Sequence, residues 1–208
     1  MEILSQAGRL AVSAPDGEHA TEAEPEVARL RAQVALLESE RAALWWAINH
    51  DDLTGLPNRR LLDAVGPSML RKADRYAVLV LDLNGFKPVN DRYGHAVGDE
   101  VLRTVGQRLS GCLDDDLAVR LSGDEFAVIL TESSLAGARR DWPALVGAIA
   151  QAVAEPMTID GNTLAVTASI GVATGKGEQT TMAELFRRAD LAMYRAKTNR
   201  YCSYVVWD

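Results

Sequence analysis

The chain has 208 residues, 48% hydrophobic and 25% charged, the balance of one soluble globular domain with an extension. Its net charge of −7 argues against a general nucleic-acid binder, which neutralises phosphates with Lys and Arg, but leaves room for a nucleotide held by a few local cations. With no apolar run of membrane length, no signal peptide in Met1–Val12 and no metal-type spacing for Cys112 and Cys202, we expect a cytoplasmic protein with free thiols.

Residues 1–24, rich in Ala, Glu, Ser and Gly around Pro15, read as a disordered or weakly ordered tail. From 25 to 49 the pattern changes. Val27, Leu30, Val34, Leu37, Leu44 and Ile48 recur in alternating steps of three and four, with Arg41 in the skipped position. That spacing predicts a helix with Pro25 in its first turn. Such a stripe either packs on its own domain or pairs with a second chain. The helix precedes the globular part, which favours a dimerising coiled coil, with Trp45 and Trp46 covering the junction.

Residues 50–208 alternate elements. A helix is expected over Arg59–Ala73, and the near-continuous apolar run Tyr76–Leu83 reads as a buried central strand. A helix from Gly98 to Leu109 follows. The apolar runs Leu117–Leu121 and Phe126–Leu130 then flank Ser122-Gly123-Asp124-Glu125, a hairpin with Ser122-Gly123 as its turn and two acids at the tip. Ala136–Ala154 reads as a helix, Thr158–Ile159 and Leu164–Val172 as strands around Asp160-Gly161-Asn162, Met182–Lys197 as a helix and Tyr201–Val206 as a closing strand. The order implies an α+β, ferredoxin-like arrangement of helices on an antiparallel sheet.

Chemistry concentrates at a few places. Asp82 ends the central strand behind deeply apolar residues, where a carboxylate either caps the next turn or holds a ligand. Asp124 shifts the balance: if the hairpin lies beside that strand, two carboxylates meet, and with carbonyl and phosphate oxygens they suit Mg²⁺. Leu83-Asn84-Gly85-Phe86-Lys87 reads as a loop whose backbone N–H groups, with Lys87, suit phosphates. Asn90 and Asp99 offer an amide and a carboxylate for the two edges of a purine, although Asp99 also suits the cap of a helix starting near Glu100. His95 reads as structural, with no second His or Cys at ligand spacing. The cations of the last helix read mainly as a solvated face, those near its C-terminal end being within reach of a triphosphate.

Together the segments resemble the GGDEF family of diguanylate cyclases. The resemblance rests on His50-Asp51-Asp52-Leu53-Thr54-Gly55-Leu56-Pro57-Asn58-Arg59-Arg60 and on Leu81 through Asp91. Tyr93-Gly94-His95 with Gly98-Asp99 and Arg120 through Phe126 follow, then Thr167 through Val172 and Arg188 through Lys197. It covers about residues 50–203. It implies a nucleotidyl-cyclase palm-like domain with a mainly antiparallel central sheet flanked by helices, preceded by the coiled-coil helix. It also implies condensation of two GTP into cyclic di-GMP and two pyrophosphates by a homodimer of facing half-sites, with Mg²⁺ or Mn²⁺. Carried over by position, the metal ligands are Asp82, Asp124 and the carbonyl of Leu83. Glu125 is a proton acceptor near the ribose hydroxyl. Asn90 and Asp99 read guanine, while Phe86, Lys87, Lys197 and Arg200 contact phosphates and Ser122 and Gly123 line the nucleotide.

Three departures stand out. The signature opens on Ser122 instead of Gly, so a silent GTP-binding or dimerisation module is the alternative to an active cyclase. The family's inhibitory RxxD motif reads Leu113-Asp114-Asp115-Asp116, without its Arg, so product inhibition by that route is not expected. The usual ending after Lys197 is one residue short, and Arg200 is matched to the family's phosphate Arg across that deletion. No sensory pattern is expected before the helix unless the 208 residues are a fragment of a longer sensor.

Overall fold

The computed structural model describes residues 18–114, 116–132, 141–176, 180–198 and 204–207. The elements are α1 (Glu18–Asn49), α2 (Arg59–Lys72), β1 (Arg75–Asn84), α3 (Phe86–Tyr93), α4 (His95–Gly111), β2 (Leu117–Ser122), β3 (Glu125–Glu132), α5 (Trp142–Ala154), β4 (Met157–Ile159), β5 (Asn162–Leu164), β6 (Thr167–Lys176), α6 (Met182–Thr198) and β7 (Tyr204–Val206). The chain divides between residues 45 and 46 into two compact units.

In the first unit, α1 starts at Glu18, so residues 18–24 are helical and Pro25 lies inside the helix, not in its first turn. Glu and Ala dominate that stretch and are strong helix formers, which outweighs the one backbone bond that proline removes. The stripe expected at heptad spacing is open, from 42% exposure at Val27 to 64% at Leu44. Trp45 and Trp46, expected to cover the junction, are about half exposed, and at the start of the second unit Trp46 stacks on His50 with ring centroids 3.4 Å apart.

In the second unit a five-stranded sheet has the order β2-β3-β1-β6-β7. β1 pairs antiparallel with both β3 and β6, β2 antiparallel with β3, and β7 parallel to β6. The first four strands carry the ferredoxin-like order. Side chains alternate across β1. Ala77, Leu79, Leu81 and Leu83 join a core with Val101 and Val105 of α4 and Val146 and Ile149 of α5. Tyr76, Val78 and Val80 join Leu62 and Leu70 of α2 and Leu185 and Ala189 of α6 on the other face. With both faces covered, an unbroken apolar run is what β1 needs. α6 sits directly on β6: a Cβ at Gly171 would collide with the backbone of Ala189 and Met193.

Several boundaries differ from the sequence reading. The segment after Gly85, read as a loop, is the helix α3, and α4 begins at His95. Gly85 takes the left-handed φ of +80° that lets β1 turn straight into α3. Ser122 belongs to β2, so the hairpin turn is Gly123-Asp124, with Gly123 at φ +48° and a register shift between Arg120 and Ser122. The stretch Leu164–Val172 breaks into β5 and β6, and β4 and β5 form their own two-stranded sheet. Ala136 to Arg140 and Tyr201 to Ser203, expected to be helix and strand, lie outside the described residues.

Candidate active site

The site begins with register. Asp82, near the end of β1, stands directly opposite Glu125 of β3 and Ser169 of β6. One residue on, the Leu83 N–H donates to the Asp124 carbonyl at 3.2 Å. Strand and hairpin thus bring Asp82, Leu83, Asp124 and Glu125 to one end of the sheet. By alternation Asp82 lies on the same face as Val80, and Glu125 on the same face as Ala127, the face that α6 covers.

From α6, Lys197 Nζ donates to both Asp82 oxygens at 2.8 and 2.9 Å. The Asp82 side chain is 13% exposed and that of Lys197 50%. The hydrogen bond to Asp82 raises the Lys197 pKa against the opposing effect of burial, and the charges of Asp82, Asp124 and Glu125 add to the rise. Ser122 Oγ donates to Glu125 Oε2 at 3.2 Å, so the departure from the signature touches its acid directly. Buried Ser169 donates to Asn84 Oδ1 at 3.0 Å and fixes the end of β1 beside Asp82.

Asn90 and Asp99 come from α3 and α4. A Cβ at Gly98 would run into the Asn90 amide oxygen and approach the Phe86 ring to 3.4 Å, so glycine there lets the Asn90 amide lie one residue from Asp99. Asp99 is four residues into α4, whose N-cap is Gly94; the capping role is therefore excluded. Phe86 and Lys87 form the first turn of α3, where backbone N–H groups lack intrahelical partners. Arg200 lies outside the described residues.

Two residues to which sequence reasoning gave no role hold the hairpin. Arg120 Nη1 reaches Asp51 Oδ1 at 2.8 Å, while its Nε and Nη2 both donate to the Gly123 carbonyl. Asp51 also accepts the N–H and hydroxyl of Thr54 at 2.8 and 2.6 Å. Burial pushes the Asp51 pKa up, but the hydrogen bonds from Thr54 and Arg120 outweigh it and leave it lowered. The signal lies in His50–Arg60 around Asp51 and is silent on its own, because the partner of Asp51 is 69 residues away. Asp116 accepts the Thr131 N–H at 2.9 Å and so secures β3.

Among the described residues no three His, Cys, Asp or Glu side chains form a metal-holding group. The donors at the hairpin, two aspartates and backbone carbonyls, are hard oxygens suited to Mg²⁺ or Mn²⁺. A cleft of about 920 Å³ between α2 and α6 adjoins them: Glu125, Val80 and Leu121 line it, but Asp82, Asn90 and Asp99 do not.

A ferredoxin-like sheet with an acidic hairpin beside its central strand defines a palm-like α+β domain of the nucleotidyl-cyclase kind. The sequence profile of "Diguanylate cyclase, GGDEF domain" matches residues 48–201, and the chain belongs to that family. It is 39% identical over 175 residues to the diguanylate cyclase TpbB of Pseudomonas aeruginosa, which covers 81% of this chain and 39% of TpbB. It is likewise 39% identical to the bifunctional diguanylate cyclase/cyclic di-GMP phosphodiesterase MucR of the same species, over 74% of this chain and 23% of MucR. The chain thus spans less than half the length of these curated relatives. Among solved structures, the TpbB GGDEF domain superposes with a TM-score of 0.69 at 37% identity, covering 76% of this chain and 94% of that one. The coiled coil and GGDEF domain of DgcB from Caulobacter crescentus, solved with c-di-GMP, gives a TM-score of 0.76 over 88% and 98% of the two chains; at 24% identity it speaks for the fold.

Proposed function

We propose that the protein is an active diguanylate cyclase that joins two GTP molecules into cyclic di-GMP and releases two pyrophosphates. The observation that carries this reading is the register of Asp82 against Glu125, with Leu83 bonded to Asp124, which gathers three acids at one strand end. Asp82, Asp124 and the Leu83 carbonyl would hold a divalent cation, which when bound polarises the α-phosphate and acidifies the attacking 3′-hydroxyl. Glu125 accepts the proton of that hydroxyl. Asn90 and Asp99 orient guanine, and Phe86, Lys87, Lys197 and Arg200 hold the phosphates, with Ser122 and Gly123 along the nucleotide. Lys197 is poised for this, since its ammonium already balances Asp82 and would follow the phosphates once the carboxylate takes a cation.

One chain presents one half-site, so two must face each other. α1, with its open heptad stripe, pairs the chains and raises the effective concentration of one site for the other. Residues 25–49 are thus the dimerising segment and 50–208 the catalytic domain. No described helix is long and apolar enough to cross a membrane, and we place the domain in the cytoplasm, where GTP is.

The bond from Ser122 to Glu125 favours a second reading, a GTP-binding module without turnover. Incubation of the purified protein with GTP and Mg²⁺, followed by analysis for cyclic di-GMP and pyrophosphate, separates the two. Product supports the cyclase; bound GTP without product at high protein concentration supports the silent module.

A further inference from the structure

The end of the sheet remote from the hairpin carries a cluster of donors. Arg75 opens β1 and Lys176 closes β6, directly opposite one another, a like-charged pair that weakens a sheet unless something lies between. Arg188 of α6 joins them around a cavity of about 270 Å³, whose walls also include Trp142, Thr174 and Thr180. Among the described residues no carboxylate lines it; Glu132 and Glu184 hold Arg75 and Arg188 from outside, at 3.1 and 2.7 Å. Lys176 is exposed.

Trp142 backs the same cavity. The residue is 5% exposed, and its Nε1–H is the only buried side-chain nitrogen or oxygen among the described residues without a hydrogen-bond partner. The Arg75 guanidinium lies 4.6 Å from the centre of the indole ring. An indole N–H can only donate, and a buried donor without an acceptor is costly. The guanidinium and ammonium groups supply donors alone, and the threonine hydroxyls can donate as well. Thr180 directly precedes Thr181, whose hydroxyl caps α6 at Glu184, so the positive end of that helix adds to the field. What such a cavity lacks is a compact group made of acceptors with negative charge.

We propose that this cavity binds a phosphate-class oxyanion, either free inorganic phosphate or a diphosphate. It is separate from the candidate active site: seven residue steps along β1 carry the strand from Arg75 to Asp82, roughly 23 Å at 3.3 Å per step. The anion bridges the first residue of β1, the last of β6 and the first turns of α6, and it fixes the end of α6 opposite Lys197.

The test is calorimetric titration of the full chain, without GTP or metal, using inorganic phosphate and pyrophosphate as probes. Saturable binding is expected, weakened at least about tenfold by Lys176→Glu and by less in Lys176→Met. Lys197→Met should leave it unchanged. The probe that binds more tightly identifies the source. Absence of saturable binding, binding indifferent to Lys176→Glu in a variant with wild-type circular dichroism, or binding lost in Lys197→Met would overturn the proposal. None of these outcomes depends on cyclase turnover.

Discussion

Arg120 and Gly123 are joined twice, Nε and Nη2 both donating to one carbonyl at 3.1 and 2.8 Å, while Nη1 of the same guanidinium is spent on Asp51. One planar cation thereby ties the turn that carries Asp124 to the loop at the start of the domain. The side chains of Arg120 and Asp51 are 11% and 24% exposed, so the pair is only partly screened. Arg120→Met should cost about 2 kcal/mol of stability, read from the urea midpoint. Arg120→Lys should recover little of it, because one ammonium cannot reproduce the fork. Wild-type stability in the Met variant would show the tether to be idle.

Acid should loosen the same tether. The folded pKa of Asp51 lies below its unfolded value, so its contribution is present above the unfolded pKa of about 3.9 and disappears as pH falls through the folded one. Urea midpoints measured from roughly pH 5 downward should therefore fall less steeply in Asp51→Asn than in wild type. Parallel curves would remove Asp51 from the acid response.

Asp82→Asn and Asp124→Asn should each lower cyclic di-GMP formation at least about a hundredfold. The fold should survive. Lys197, the partner lost by Asp82→Asn, is half exposed, and such a pair contributes about 1 kcal/mol or less. Product analysis beside thermal unfolding checks both halves, and a variant that unfolds early would disqualify the activity result.

Ser122→Gly removes the hydroxyl that engages Glu125. One hydrogen bond contributes about 1 kcal/mol, so turnover should rise by up to about fivefold if that bond restrains the acid. A drop would mean that Ser122 helps to hold Glu125 in place.

Leu30→Asp combined with Leu37→Asp places charges on the open stripe of α1. Specific activity should then fall on dilution sooner than in wild type, and light scattering should show dissociation at the same concentrations. Activity independent of dilution in the double variant would sink the role assigned to α1.

The sequence disclosed what local pattern encodes. The apolar run of β1, the acids around Gly123 and the amphipathic helices were readable because each is a periodicity or a short motif. α3 was hidden, since eight residues beginning Phe-Lys-Pro after a glycine read equally well as a loop. The capping reading of Asp99 failed because α4 starts earlier, at His95, behind the glycine that splits it from α3. The Arg120 clamp was invisible for another reason: its partners Asp51 and Gly123 meet only once Asn58 and Arg120 form a bridge between distant segments.

Gly171 lets the backbone of α6 rest on β6 with no side chain between. The height of the helix above the sheet is therefore set by a hydrogen atom, and α6 behaves as a beam seated on a fulcrum. Lys197 hangs from one arm of that beam and Arg188 lies nearer the opposite end. A methyl group at 171 would jack up the whole helix, and a glycine on β6 would then decide whether the ammonium still meets Asp82.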